Sequence, residues 1–283
     1  QMEAPKHLKA QIQACREGTV YEDSWDEKLY NCGCPSCQIS SDDWVYVWDG
    51  LDIVGYVGKL PKKLEIPLGC TGLGPHALAG GQFEEIILPD SIVSIGKEAF
   101  MECMNVKNID MSACTKVKEI EEKTFYNCDG IESVSLPLSV KTIGAYSFYE
   151  CDSLTTVTFA ENSKLTSMGE SVFIDCDSLT TVIFAENSKL TTIGDSAFAN
   201  SGLQSIEIPA SVTQIRSFAF QECENLATVT FAENSQLTNI GGNAFDYCVA
   251  LTKITIPASV TSIGDRAFTS CSNLTAVHIN NVS

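Results

Sequence analysis

Positive charge is scarce in this chain. Its 18 Lys and Arg stand against 36 Asp and Glu, for a net charge of −18 and a pI near 4.4. Nucleic acids and anionic membranes are held by clustered Lys and Arg, so neither fits as a partner. Long apolar runs are missing as well. No stretch of about 18 apolar residues occurs, which excludes a membrane-spanning helix and membrane insertion by that route. Histidine is rarer still: His7, His76 and His278 lie far apart, leaving no partner from which to build a Ser/His/Asp or Cys/His arrangement. The opening Gln1-Met2-Glu3 has no basic-then-apolar leader. Either the protein stays inside the cell or its leader lies outside these residues.

What the chain does have is repetition. A unit of Ile-Gly, Ala-Phe, Cys and Leu-x-x-Val recurs, plainest at Ile263-Gly264, Ala267-Phe268, Cys271, Leu274 and Val277. Aligned on the aromatic, the units carry Leu78, Phe100, Phe125, Phe148, Phe173, Phe198, Phe220, Phe245 and Phe268, at intervals of 22, 25, 23, 25, 25, 22, 25 and 23. The variation sits mainly in the turns. Short turns carry proline, as in Ile208-Pro209-Ala210-Ser211-Val212; longer ones read Phe159-Ala160-Glu161-Asn162-Ser163-Lys164-Leu165 and return nearly verbatim at 184–190 and 231–237. One further residue is lost where Ser201-Gly202 precedes Leu203. Slips confined to turns leave the buried positions in phase. Self-similarity at this period marks a solenoid, whose coils bury their apolar faces only against neighbours. With 44% apolar residues, 283 residues suffice for such a core.

Within each unit, Leu-x-x-Val-x-Phe/Ile has the leucine-rich pattern whose middle residues form one short parallel strand. Proline or Asn-Ser then ends the strand. Gly194-Asp195-Ser196-Ala197-Phe198 reads as a helical or 3-10 turn opened by Asp195. The expected fold is an α/β repeat solenoid, with a parallel sheet on the concave face and short helices or 3-10 turns on the convex face. At about 4.8 Å per coil, some ten strands would extend about 45 Å. The chain divides into a cysteine-containing helix-plus-loop segment over 1–40, a cap strand region over 41–63 and about nine coils over 64–283.

The residues Ile-Gly-x-x-Ala-Phe-x-x-Cys-x-x-Leu-x-x-Val-x-Ile-Pro resemble the repeat of the BspA-like leucine-rich repeat proteins of bacterial cell surfaces. The likeness covers roughly residues 60–283. The stretch Trp48-Asp49-Gly50-Leu51-Asp52-Ile53-Val54-Gly55-Tyr56 is similar to the strand that often precedes the first full repeat there, and would cap the first coil. The resemblance implies a secreted or surface-displayed adhesion or binding protein with no catalytic residues and no cofactor to carry over. It also favours a leader or anchor segment outside this chain.

Thirteen cysteines are present. Cys103, Cys128, Cys151, Cys176, Cys223, Cys248 and Cys271 all follow the repeat Phe by three residues and form one column pointing into the core. Neighbours a coil apart with parallel Cβ vectors do not suit a disulfide, so these read as buried free thiols. Cys70 reads likewise, whereas Cys114 falls in a turn and is expected to be exposed. Cys15, Cys32, Cys34 and Cys37 lie before the repeats. They supply a zinc site, one or two disulfides, or free thiols. Cys34-Pro35-Ser36-Cys37 lacks the flanking strand and helix of a redox motif.

The remaining candidates dissolve into the repeat. Gly69-Cys70-Thr71-Gly72-Leu73-Gly74 looks like a phosphate loop but falls on repeat positions and has no Walker lysine. Glu84-Glu85 and Glu121-Glu122 read as solvated charge beside turns. What is left is the concave face, where strand residues between the buried ones point outward: Thr156, Thr158, Thr181, Ile183, Ser205, Glu207, Thr228, Thr230, Lys253 and Thr255. These are the candidate ligand-binding residues, although Thr also suits exposed strands by propensity alone. The expected function is non-enzymatic binding or adhesion by a monomer, to a protein or glycan on a host or neighbouring cell. The alternatives are a stalk that presents another domain and, last, an enzyme or metal module on the N-terminal cysteines.

Overall fold

The computed structural model describes residues 45–49, 52–57, 60–66 and 68–280. The described residues from 63 to 280 form a succession of three-sided coils, and on each side lateral hydrogen bonds join neighbouring coils. The first side holds the longer strands, from Lys63–Glu65 through Thr156–Phe159 to Ala276–Ile279, paired in parallel with the next coil. Outward and inward residues alternate in them, as in Thr156–Phe159, where Val157 and Phe159 are buried while Thr156 and Thr158 are exposed. The second side holds two-residue strands, from Gly72–Leu73 to Ser262–Ile263. Before them, Val45–Asp49 and Asp52–Val57 form an antiparallel hairpin, and Ile53 pairs in parallel with Leu73. The stretch Trp48 to Tyr56, read as one strand, is therefore divided between two.

The third side corrects the expected fold class. Among the described residues there is no α-helix and no 3-10 helix; the Phe-bearing segments are turns. Their residues two before and two after the Phe have left-handed backbone, for example Tyr146 at φ 56° and Glu150 at φ 50° around Phe148. No β-branched residue stands at any such position, as sterics require. The backbone N–H groups then reach the next coil instead of the preceding turn. Tyr146, Phe148 and Glu150 donate to the carbonyls of Glu170, Val172 and Ile174 at 3.0, 2.9 and 3.2 Å. Every coil boundary from Leu78 to Phe245 repeats this triplet. These lateral bonds satisfy alternate backbone N–H groups of the turn and tie one coil to another. Asp195 has no helix to cap. Its Oδ1 accepts from the Ser217 amide of the next coil at 3.2 Å, and Arg216 stands 3.5 Å from its Oδ2.

The core is a stack of like residues. Phe100, Phe125, Phe148, Phe173, Phe198, Phe220 and Phe245 are fully buried, their rings parallel with centroids 5.0–5.5 Å apart. Leu, Val and Ile of the strands fill the rest. The Gly of Ile-Gly has a steric cause. A Cβ on Gly194 would lie 2.0 Å from the Gly169 carbonyl oxygen of the preceding coil. Backbones pass too closely there for any side chain.

The cysteine column lies inside, with free thiols. Each S–H donates backward to the carbonyl of the preceding coil's anchor residue: Cys128 to Phe100 at 3.0 Å, Cys151 to Phe125 at 3.3 Å, Cys176 to Phe148 at 3.0 Å. Burial pushes these thiols up, Cys128 to about 12 and Cys223 to about 11. Cys114 is a further correction. It is fully buried with its thiol directed at the Pro89 carbonyl, because its turn folds inward between Met111 and Val117.

Candidate functional site

Alternation in the longer strands decides which side chains form the outer face. In Lys63–Glu65 and Glu85–Ile87 the outward residues other than Ile87 are charged, and charges pair across coils: Lys63 with Glu85 at 3.1 Å, beside Lys62 with Glu84 at 2.6 Å. Lys107 and Glu132 continue that border at 3.1 Å. Hydrogen bonding to the Glu84 carboxylate holds the Lys62 ammonium above its ordinary value. Asn108 and Ser133 are also engaged with each other, the Ser133 hydroxyl donating to Asn108 Oδ1 at 2.7 Å. The early coils thus answer their own polar groups.

The face changes at Thr156. Thr156, Thr158, Ser205, Glu207, Thr228 and Thr230 are exposed, Ile183 is 48% exposed, and Thr181 is half-buried. Register aligns Thr156 with Thr181, Thr158 with Ile183, Thr181 with Ser205, and Glu207 with Thr230. These eight therefore share one continuous ladder of four strands. Lys253 and Thr255 are exposed too, but their strand pairs with Ala276–Ile279 in a separate ladder. The ladder is also interrupted between Ser133–Ser135 and Thr156–Phe159, where a shallow hollow opens against Leu136, Leu138 and Phe159. Nothing nucleophilic or acid–base active is concentrated on this face. It offers hydroxyl donors and acceptors, a few methyl groups, one carboxylate and one ammonium.

Other candidates fall elsewhere. His278 is exposed on the last strand, while His76 faces Glu98 at 3.0 Å on the turn side. Cys70 is buried and its thiol donates to the Gly72 carbonyl at 3.3 Å, consistent with a structural role for the glycine-rich stretch. Cys15, Cys32, Cys34 and Cys37 lie outside the described residues. Among the described residues no three His, Cys, Asp or Glu converge as a metal site.

Two features were not anticipated. One is a second hydroxyl column beside the two-residue strands: Thr166, Thr191, Thr213, Thr238 and Thr261 each donate to the backbone carbonyl of the equivalent residue one coil earlier, at 2.9–3.2 Å. A Thr two residues before the Ile or Met of five successive units was its signal. The other is a tyrosine cluster on the turn side, Tyr126, Tyr146 and Tyr149, visible in sequence only as aromatics flanking the repeat Phe.

Comparison with known proteins agrees with this geometry. The BspA type leucine-rich repeat region matches residues 71–201 and 191–283 in six copies. A leucine-rich cell surface protein from Faecalibacterium prausnitzii A2-165 is 25% identical, with TM-score 0.60, over 84% of this chain and 77% of that one. A leucine-rich repeat protein from Bacteroides ovatus has 23% identity and TM-score 0.64, over 84% and 75%. The T. pallidum leucine-rich repeat protein has 21% and 0.50, over 82% and 87%. No curated protein matches the chain. Repeat grammar, coil geometry and family match converge: the chain belongs to the BspA-type leucine-rich repeat family.

Proposed function

We propose that this chain is a non-enzymatic binding module, displayed outside the cell, that engages a protein or glycan of a host or neighbouring cell through the face from Thr156 to Thr255. The observation that carries this reading is the contrast along the face. Its early coils pair their own charges, whereas from Thr156 onward the hydroxyls of Thr156, Thr158, Thr228 and Thr230 stand exposed on a regular lattice. Exposed hydroxyls at one strand spacing suit a ligand with its own repeating donors and acceptors. The similarity to a leucine-rich cell surface protein supports the location. Aromatic side chains, which carry most protein–protein affinity, are missing from this stretch, so binding by one copy is weak and multiple copies gain by avidity.

The test begins with the purified protein screened against matrix proteins and cell-surface glycans. Thr158→Lys, Thr181→Lys and Thr230→Lys combined should then abolish the binding found, by leaving charge unpaired in the complex. The control places Lys at Glu161, Glu186 and Glu233, exposed in the long turns. Loss confined to the control moves the site to the turns. If neither variant changes binding, the coils act as a stalk. That second reading is favoured by the lack of aromatic anchors on the face.

A further inference from the structure

The turn side carries what the sheet face lacks. The position after the repeat Phe is occupied in four successive coils by Met101, Tyr126, Tyr149 and Ile174, all half-buried. The rings of Tyr126 and Tyr149 stack at 4.7 Å and 6°, and Tyr146 leans on Tyr149 at 6.1 Å and 58°. The stripe forms because residues at one repeat position stand a single coil apart, so side chains of one kind meet in a row. Core packing does not require it, since the buried anchors are Phe100, Phe125, Phe148 and Phe173. Methionine and tyrosine are the residue types enriched where proteins meet.

Charge says what would cover it. Glu102, Glu150 and Asp175 directly follow Met101, Tyr149 and Ile174 and so border the stripe. Burial first, and then Glu150, Glu102 and Asp175, raise the Tyr126 hydroxyl's proton affinity, and burial, Glu150 and Asp175 do the same at Tyr149. Glu170 accepts the Tyr146 hydroxyl at 2.9 Å. The ammonium of Lys123 lies 5.8 Å above the Tyr126 ring, so a cation already rests against this aromatic surface. We propose that the stripe Met101–Tyr126–Tyr149–Ile174, within its carboxylate surround, docks an arginine-bearing basic segment of a protein partner. Guanidinium suits it better than ammonium, because it is planar, stacks on rings and pairs with carboxylates through two N–H groups at once. Nucleic acid is repelled by the same charges. This docking does not rest on the sheet-face reading, since it uses another side of the coil.

The experiment is fluorescence anisotropy of a labelled oligo-arginine peptide with the full chain at physiological salt, and an oligo-lysine peptide of equal length in parallel. A protein this acidic attracts any polycation weakly, so the controls decide. Tyr126→Ala with Tyr149→Ala should weaken arginine-peptide binding about tenfold, and Glu102→Gln, Glu150→Gln and Asp175→Asn together should do at least as much. The latter set keeps every ring, and so reads the site independently of any loosening of the turn. Glu161→Gln, Glu186→Gln and Glu233→Gln remove equal charge in the long turns and should change binding less than about twofold. The lysine peptide should bind several-fold more weakly than the arginine peptide. Equal losses in the two carboxylate sets, or an unchanged tyrosine variant that melts normally, would overturn the proposal.

Discussion

Replacing Gly194 by Ala tests the close approach of neighbouring coils. The new Cβ would stand 2.0 Å from the Gly169 carbonyl oxygen and 2.5 Å from its carbon, where ordinary contact begins at 3.4 Å. Both obstacles are backbone, so no side chain can swing aside. The two coils must part locally by about 1 Å. Bonds flanking the site absorb that: Ser171 N–H to the Asp195 carbonyl at 2.8 Å, and both the amide and the hydroxyl of Thr191 to the Thr166 carbonyl at 2.9 Å. Losing two or three bonds costs about 1 kcal/mol each. The more restricted unfolded chain returns about 0.4–1 kcal/mol. The expected net loss is about 2 kcal/mol. Gly80→Ala is the paired control, because Gly80 has nothing within 4 Å but a φ of 68°. It should lose about 1 kcal/mol, from left-handed backbone alone. Urea unfolding by circular dichroism measures both, and hydrogen exchange shows whether Gly194→Ala loosens its own coil boundary first, as nearest-neighbour stability requires. A Gly194→Ala protein as stable as the parent would refute the steric reading.

Other outcomes follow from the same packing. Phe173→Ala should cost about 3–5 kcal/mol, read by the same denaturation, since the ring is fully buried between Phe148 and Phe198. The seven column thiols should resist a water-soluble thiol reagent in native protein and all react in denaturant without reductant; a Cys151–Cys176 disulfide peptide from a non-reducing digest would contradict this. Because burial raises the folded thiol values, folding stability is fully present below the unfolded value near 9.0 and falls as pH climbs from there toward the folded values, about 12 for Cys128. Melting temperature across this alkaline window should drop steeply, and Cys128→Val should make the drop shallower.

Core and sheet were legible because two simple periodicities fix them. A repeat anchored on Phe173 and Phe198 leaves little freedom over which residues turn inward, and alternation in Thr156–Phe159 settles the rest. The turn side was not legible in the same way. Asp195, Ser196 and Ala197 are good helix starters, but the same polar residues also tolerate left-handed backbone, and only the next coil's carbonyls decide between the two. Cys114 was misplaced for a related reason. Its unit lacks both the proline and the Asn-Ser signature, so nothing local marked the turn as folding inward. The outward residues of the face could be identified from sequence. That Lys253 and Thr255 belong to a separate ladder could not, since interruptions in pairing arise from strand geometry between coils.

The triplets of lateral bonds on the turn side all run one way. From Leu78 to Phe245, donors sit in one coil and acceptors in the next toward the C-terminus, without reversal. Peptide dipoles in this column therefore add along the stack, as they do in an α-helix. Other columns oppose it: Thr191 and Gly241 donate back to the Thr166 and Ile215 carbonyls of the preceding coil at 2.9 and 2.8 Å. Each side of the coil therefore carries its own electrical direction, although the described residues include no helix to supply one. Electrostatics along the rod are set by backbone geometry as well as by the acidic side chains it displays.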